Sequence, residues 1–255
     1  MQTIAIITGA SSGLGWEFAT QLDATERVDA FWLIARRRER LEALADTLTT
    51  PARSFAGDLT DPAFLETIRS TLQRESVQIA TLVNSAGLGK IGKVGALGEE
   101  ENAAMIELNV LALSRMTSLC LPYMQRGGRI FQLASVAAFS PQPTFAVYAA
   151  TKSFVLSYSR ALHRELQPQH ITVTAVCPNP VETEFFDHAG SVKAASAIKK
   201  IGVEQAHTVV QTALRRAEKG KDISLSSGMA KCIHVVTKLL PHRFVLWAEK
   251  CMGLY

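Results

Sequence analysis

Short apolar runs alternate with longer helical patterns almost from end to end of this 255-residue chain. The runs predict strands over 3–8, 29–35, 52–57, 79–84, 129–134 and 171–177. The intervening apolar periodicity predicts helices over 13–24, 38–49, 61–75, 100–125 and 147–167. Strands separated by one helix each require right-handed crossovers, and these give a parallel sheet covered on both faces. The expected fold is therefore α/β, a doubly wound parallel sheet with helices on both faces. No Pro/Gly/Ser-rich linker and no internal repeat divides the chain, so residues 1–255 read as a single domain.

Composition excludes several classes. Hydrophobic residues at 47% and charged residues at 20% suit a globular enzyme rather than a disordered tail. A net charge of +4, with the basic residues scattered apart from the Arg36–Arg40 run, is too little for a nucleic-acid partner. The four cysteines lie far apart with no CxxC pair, so neither a metal site nor a disulfide framework is expected, and a reducing, cytoplasmic setting is. Met1 to Ile7 lacks a basic n-region and reads as a strand, and no stretch approaches 18 uncharged apolar residues.

The first strand runs directly into Thr8-Gly9-Ala10-Ser11-Ser12-Gly13-Leu14-Gly15, which also opens the first helix. Glycines there let backbone approach a pyrophosphate closely, and the free N–H groups of a helix start face its charge. A dinucleotide site follows. An NAD-specific site places a carboxylate at the end of the second strand; this chain has Ala35 followed by Arg36, Arg37 and Arg38. A guanidinium binds a 2′-phosphate that a carboxylate would repel, and cations at a helix start gain nothing from its dipole. NADP(H) is the expected cofactor, with Arg36 and Arg37 as its main phosphate partners and Ser11 nearby.

Tyr148 and Lys152 are four apart near the start of an apolar-patterned helix, so they share a face. A phenol has a pKa near 10, and a neighbouring ammonium is expected to lower it towards useful values. Ser135 ends the strand run Arg129 to Ala134, at the carboxyl edge where open α/β sheets bind ligands. Asn109, an amide inside an otherwise apolar helix, must find a partner.

On these residues the chain resembles the classical short-chain dehydrogenase/reductase family over about its first 185 residues. The Thr8–Gly15 loop is similar to the TGxxxGxG element, and Asp58-Leu59 to the segment beside the adenine ring. Asn84-Ser85-Ala86-Gly87 is similar to NNAG, with Ser85 replacing the second Asn. Pro178-Asn179-Pro180-Val181-Glu182-Thr183 is similar to PGxVxT beside the nicotinamide. Asn179 stands at the usual Gly, where its tolerance of a left-handed backbone is expected to save the turn. The resemblance implies a single NAD(P)-binding Rossmann-type domain. It implies a tetrad of Asn109, Ser135, Tyr148 and Lys152, and cofactor contacts from Gly9, Ser11, Ser12, Gly13, Leu14, Gly15, Arg36, Arg37, Asp58, Leu59, Asn84, Ala86, Gly87, Tyr148, Lys152, Pro178, Val181 and Thr183. It also implies a homodimer or homotetramer through the 100–125 and 147–167 helices.

The implied function is NADPH-dependent reduction of a small-molecule carbonyl, of ketone, aldehyde or 3-oxoacyl type, with Tyr148 as general acid. The alternatives are an NADP-dependent alcohol dehydrogenase working oxidatively and a non-catalytic NADP(H)-binding sensor or scaffold. Phe139, Phe145, Phe185, Phe186 and Met229, with few fixed charges, favour a lipophilic substrate if they line the pocket. Residues 183–200 are expected to form a flap. A helix over 201–219 and an edge strand over 222–225 should follow. The tail, 229–255, mixes apolar and basic residues. It reads as pocket wall or subunit contact, or as a peripheral membrane contact.

Overall fold

The computed structural model describes residues 1–184 and 202–251. Seven parallel strands form one sheet in the order β3-β2-β1-β4-β5-β6-β7: β1 (Gln2–Thr8), β2 (Ala30–Ala35), β3 (Ala52–Ala56), β4 (Val77–Asn84), β5 (Met124–Leu133), β6 (Thr172–Val176) and β7 (Ile223–Ser224). Every expected strand is present, with ends shifted by a few residues. The largest change is at β5, which starts at Met124 rather than 129.

Why the runs are apolar throughout is visible in β1. Ile4 and Ile6 enter the core on one face, while Ala5 and Ile7 enter the core on the other. A strand buried on both faces cannot alternate with polar residues. On the first face α3 (Pro62–Arg74) supplies Leu65, Ile68 and Leu72, and α6 (Ala146–Glu165) with its C-cap supplies Leu162 and Leu166. On the second, α1 (Gly13–Thr25), α2 (Arg38–Ala45) and α7 (Ala206–Glu218) supply Phe18, Leu22, Leu41, Leu44, Val209, Val210 and Ala213. Each such buried leucine, isoleucine, valine or phenylalanine stabilises the fold by about 1.5–3 kcal/mol.

The expected helix 100–125 is three pieces. α4 (Val94–Ile106) is kinked at Gly98, a π-helical turn spans Glu107–Ala112, and α5 (Leu113–Cys120) completes it. By length and composition the Val94–Tyr123 stretch is apolar enough to cross a membrane. It contributes Ala112, Met116, Leu119 and Cys120 to the core. The tail folds as α8 (Gly228–Leu239) and α9 (His242–Cys251), which leave Val235, Leu239, Phe244 and Trp247 exposed.

The sheet order reverses direction between β1 and β4, so the loops leaving their carboxyl ends diverge and open a crevice. The glycine loop after β1, the Ser85–Gly87 turn after β4 and Ser135 after β5 all lie along this edge.

Candidate active site

A cavity of about 690 Å³ occupies the crevice. At one end it is lined by Gly9, Ser11, Ser12, Gly13 and Leu14, with Arg36 and Arg37 above them. Two glycines are required by geometry. Gly9 has φ +67°, and a Cβ there would lie 2.7 Å from the Ala86 backbone N; Gly13 has φ +54° and faces Thr183. No side chain caps the N-terminus of α1 and no acid sits in its first turn, so its amides present positive charge to the cavity. Thr8 fastens the neighbouring turn, its Oγ1 accepting from the backbone N of Ser85 at 3.1 Å and of Ala86 at 3.2 Å.

Gly15 and Asn84 do not line the cavity, against the expectation for both. A Cβ on Gly15 would lie 2.3 Å from the Gly9 carbonyl oxygen, so this glycine lets α1 pack onto the loop. Asn84 points into the protein. Its amide donates to Thr117 Oγ1 at 3.0 Å and Gln132 Oε1 at 3.1 Å, joining α5 to the sheet. Asp58, Leu59, Ala86, Gly87, Pro178, Val181 and Thr183 do line the cavity.

Arg37 donates to Ser11 Oγ at 3.3 Å and pairs with Glu184 at 2.8 Å, and Arg40 reaches the same carboxylate at 3.4 Å. Glu184 was not foreseen, because only the fold brings it opposite β2. Arg36 is exposed, and its charge is one cause of the lowered pKa of Asp58, behind the two Thr60 hydrogen bonds that outweigh burial. The two arginines thus face the cavity with different freedom.

The reacting end is built on the start of α6. Tyr148 and Lys152 are both buried on its inner face and both line the cavity. Lys152 Nζ donates to the Leu133 carbonyl at 2.7 Å, fixing the helix to the end of β5, and stands 5.6 Å from the Tyr148 ring centroid. Phe145 stacks on Tyr148 at 4.2 Å. Ser135 Oγ accepts from Ala137 N at 3.1 Å and hydrogen-bonds the Tyr148 hydroxyl. A serine hydroxyl in this place can donate to an oxygen in the cavity.

Burial decides both pKa values. It pushes the Tyr148 phenol up to about 12, against the lowering by Ser135 and contrary to the lowering expected from the ammonium. It pushes Lys152 down to about 8. Cys177, fully buried nearby, is raised to about 12 by the same cause, so its thiol is neutral and inert at physiological pH.

Asn109 lies in the π-helical turn behind the cavity wall. Its Nδ2 donates to Leu88 O at 2.8 Å and Thr151 Oγ1 at 3.0 Å, and its Oδ1 accepts from Leu88 N at 2.8 Å. Both amide protons are thereby used, while Oδ1 retains one lone pair. A Cβ built on Gly87 would lie 3.3 Å from that oxygen and 3.4 Å from Lys152 Nζ, so the two groups flank one backbone position.

Asn179 does not adopt the expected left-handed backbone. Its N–H donates to Glu204 Oε1 at 3.0 Å and its amide to Ser227 Oγ at 3.1 Å, anchoring the Pro178–Thr183 segment from below. Of the aromatic candidates, Phe145 lines the cavity. Phe139 packs on His234 at 4.5 Å instead, and Met229 is exposed. Phe185, Phe186 and the proposed flap from 185 onward lie outside the described residues. A cavity-lining group with no signal in the sequence is Glu249, brought in by the folded tail.

These residues fit a dinucleotide. The glycine cradle and bare helix start suit a pyrophosphate, and the buried Tyr–Lys–Ser group suits proton transfer at the far end.

Residues 3–194 match the family model described as short chain dehydrogenase. The chain is 31% identical over 184 residues to the 3-oxoacyl-[acyl-carrier-protein] reductase FabG of Escherichia coli (strain K12), covering 71% of this chain and 75% of that one. It is similar to a short-chain dehydrogenase from Sphingobium yanoikuyae in complex with NADPH, with a TM-score of 0.78 and 29% identity over 100% of this chain and 95% of that one. A short-chain dehydrogenase/reductase from Burkholderia phymatum in complex with NAD shares the fold, with a TM-score of 0.81 and 20% identity over 93% and 95%. The glycine loop, the Ser135–Tyr148–Lys152 cluster and the sheet order are thus accounted for together: the chain belongs to the short-chain dehydrogenase/reductase family of oxidoreductases.

Proposed function

We propose that the protein is an NADPH-dependent carbonyl reductase acting on a ketone, aldehyde or 3-oxoacyl-type substrate. The observation that carries this reading is the hydrogen-bonded Ser135–Tyr148 pair with Lys152 behind it, at the opposite end of one cavity from the glycine loop and arginines. The bound cofactor would supply hydride to the carbonyl carbon. Ser135 donates to the carbonyl oxygen and holds it beside Tyr148. Tyr148 O–H then gives its proton to the alkoxide as it forms, and the resulting phenolate is stabilised by the Lys152 ammonium. Orientation within the cavity supplies the remainder.

The raised pKa of Tyr148 suits this direction, since the phenol stays protonated throughout the physiological range. The preference for NADPH rests on Arg36 and Arg37, whose guanidinium groups suit a 2′-phosphate. The relative that binds NADPH supports the same reading.

The test is a screen of NADPH oxidation with aliphatic aldehydes, ketosteroids, 3-oxoacyl thioesters, quinones and sugars, repeated with NADH. Turnover of at least one lipophilic class with NADPH preferred is the expected result. A clear NADH preference would remove the arginine argument. Tight NADPH binding without turnover of any class would favour a sensor.

A further inference from the structure

Four acids line the cavity: Asp58, Glu107, Glu184 and Glu249. Glu184 is paired with Arg37 and Arg40, Asp58 accepts from Thr60, and Glu107 is exposed in the π-helical turn. Glu249 differs from all three. It is only partly exposed, and its partner among the described residues is a neutral hydroxyl, Ser140 Oγ at 3.2 Å. That hydroxyl follows the 3-10 turn Val136–Phe139 that begins at Ser135, which places the carboxylate on the reacting side of the cavity.

Two physical costs meet at this side chain. Burial removes solvation from the carboxylate and raises its pKa. It lies in the last turn of α9, where the helix dipole disfavours a negative charge. Among the described residues no lysine, arginine or histidine pairs with Glu249 to offset either cost. A glutamine would keep a hydrogen bond to Ser140 without any of the charge penalty. The negative charge therefore has no use in the packing of the tail, but it has one in the cavity.

We propose that Glu249 is a specificity-determining residue that selects carbonyl substrates carrying an ammonium group remote from the reacting carbon. The assignment rests on the carbonyl-reductase reading and narrows it: the pocket is apolar around Phe145 and Val136, with one carboxyl group on the tail-side wall that an ammonium would hold ionised. A neutral hydroxyl on the substrate would hydrogen-bond Glu249 and leave its charge uncompensated. An ammonium does both.

The experiment compares two ketones of equal shape, diethylaminopentanone and its carbon isostere ethyloctanone, with NADPH and full-length protein. In the wild type kcat/KM should favour the amine by about tenfold, the worth of one charge-assisted contact. Glu249→Gln should bring the ratio to about one by lowering the amine's value, with the isostere's unreduced. Were Glu249 only a tether for α9, the two substrates would change together and the ratio would stay where it was; that result overturns the proposal. Calorimetric titration of the amine into the wild type and variant loaded with NADP+, which cannot reduce it, gives a reading independent of turnover. Amine binding weakened about tenfold by Glu249→Gln supports the assignment even if neither ketone is reduced, an outcome that counts against the reductase reading alone. Equal binding in both proteins, with or without turnover, refutes it.

Discussion

Tyr148 and Lys152 shift in opposite directions for one reason: burial disfavours phenolate and ammonium alike. The rate of carbonyl reduction should therefore fall as pH rises through about 8, where Lys152 loses its proton, while Tyr148 remains a phenol up to about 12. A pH profile of kcat/KM with NADPH reads this directly, and a flat profile to pH 10 would remove Lys152 from the proton-transfer step. Stability follows the same groups with defined sign. Between about 8 and the ordinary lysine value of 10.5, the folded state binds fewer protons than the unfolded one, so Lys152 makes stability rise with pH; Tyr148 reverses this between 10 and about 12. Removing the hydroxyl by Tyr148→Phe should slow the chemical step by about 10²–10⁴-fold, seen in single-turnover NADPH oxidation. NADPH affinity, followed by fluorescence, should hardly change. The positions of these residues were legible in the sequence because a four-residue spacing fixes a helix face. Their pKa values were not, since an ammonium's pull is read from neighbours and burial from the whole fold.

At the scale of elements, the glycine loop and α1 form a unit whose tolerance is set by backbone contact. A methyl group at Gly15 would meet the Gly9 carbonyl at 2.3 Å, and neither backbone can give way without moving the loop. Gly15→Ala should destabilise the protein by at least about 2 kcal/mol, measured by urea unfolding, and weaken NADPH binding as the cradle shifts. Matching the loop to a pattern located this glycine but gave no direction for its Cα–H. Asn84 carries the same lesson: the turn after β4 was legible, while the side chain's turn towards Thr117 and Gln132 depends on α5, 33 residues further on. Strands were easier to read than the 100–125 helix. A strand buried on both faces writes an unbroken apolar run, whereas the π-helical turn at Glu107–Ala112 keeps helical periodicity and differs only in its hydrogen bonding.

Across the whole molecule, the cavity joins parts that are far apart in sequence, and its charge balance is shared among them. Glu184 competes with any phosphate for Arg37. Glu184→Gln should therefore tighten NADPH binding and leave NADH binding nearly unchanged, as equilibrium titrations with both cofactors would show. NADPH at one hundred times its Kd should also stabilise the protein by about 2.7 kcal/mol, and NADH at the same concentration by much less, readable as a difference in thermal midpoint. Neither Glu184 nor Glu249 was legible beforehand, because each acquires its setting only when distant segments meet. Glu249 and Ser140 are 109 residues apart, and their contact has a consequence for the order in which the protein is made. During synthesis the glycine loop and the Ser135–Tyr148–Lys152 cluster leave the ribosome well before α9 does. A nascent chain can thus assemble its cofactor crevice while α9 is still inside the exit tunnel, so the two walls of the cavity form at different moments of synthesis.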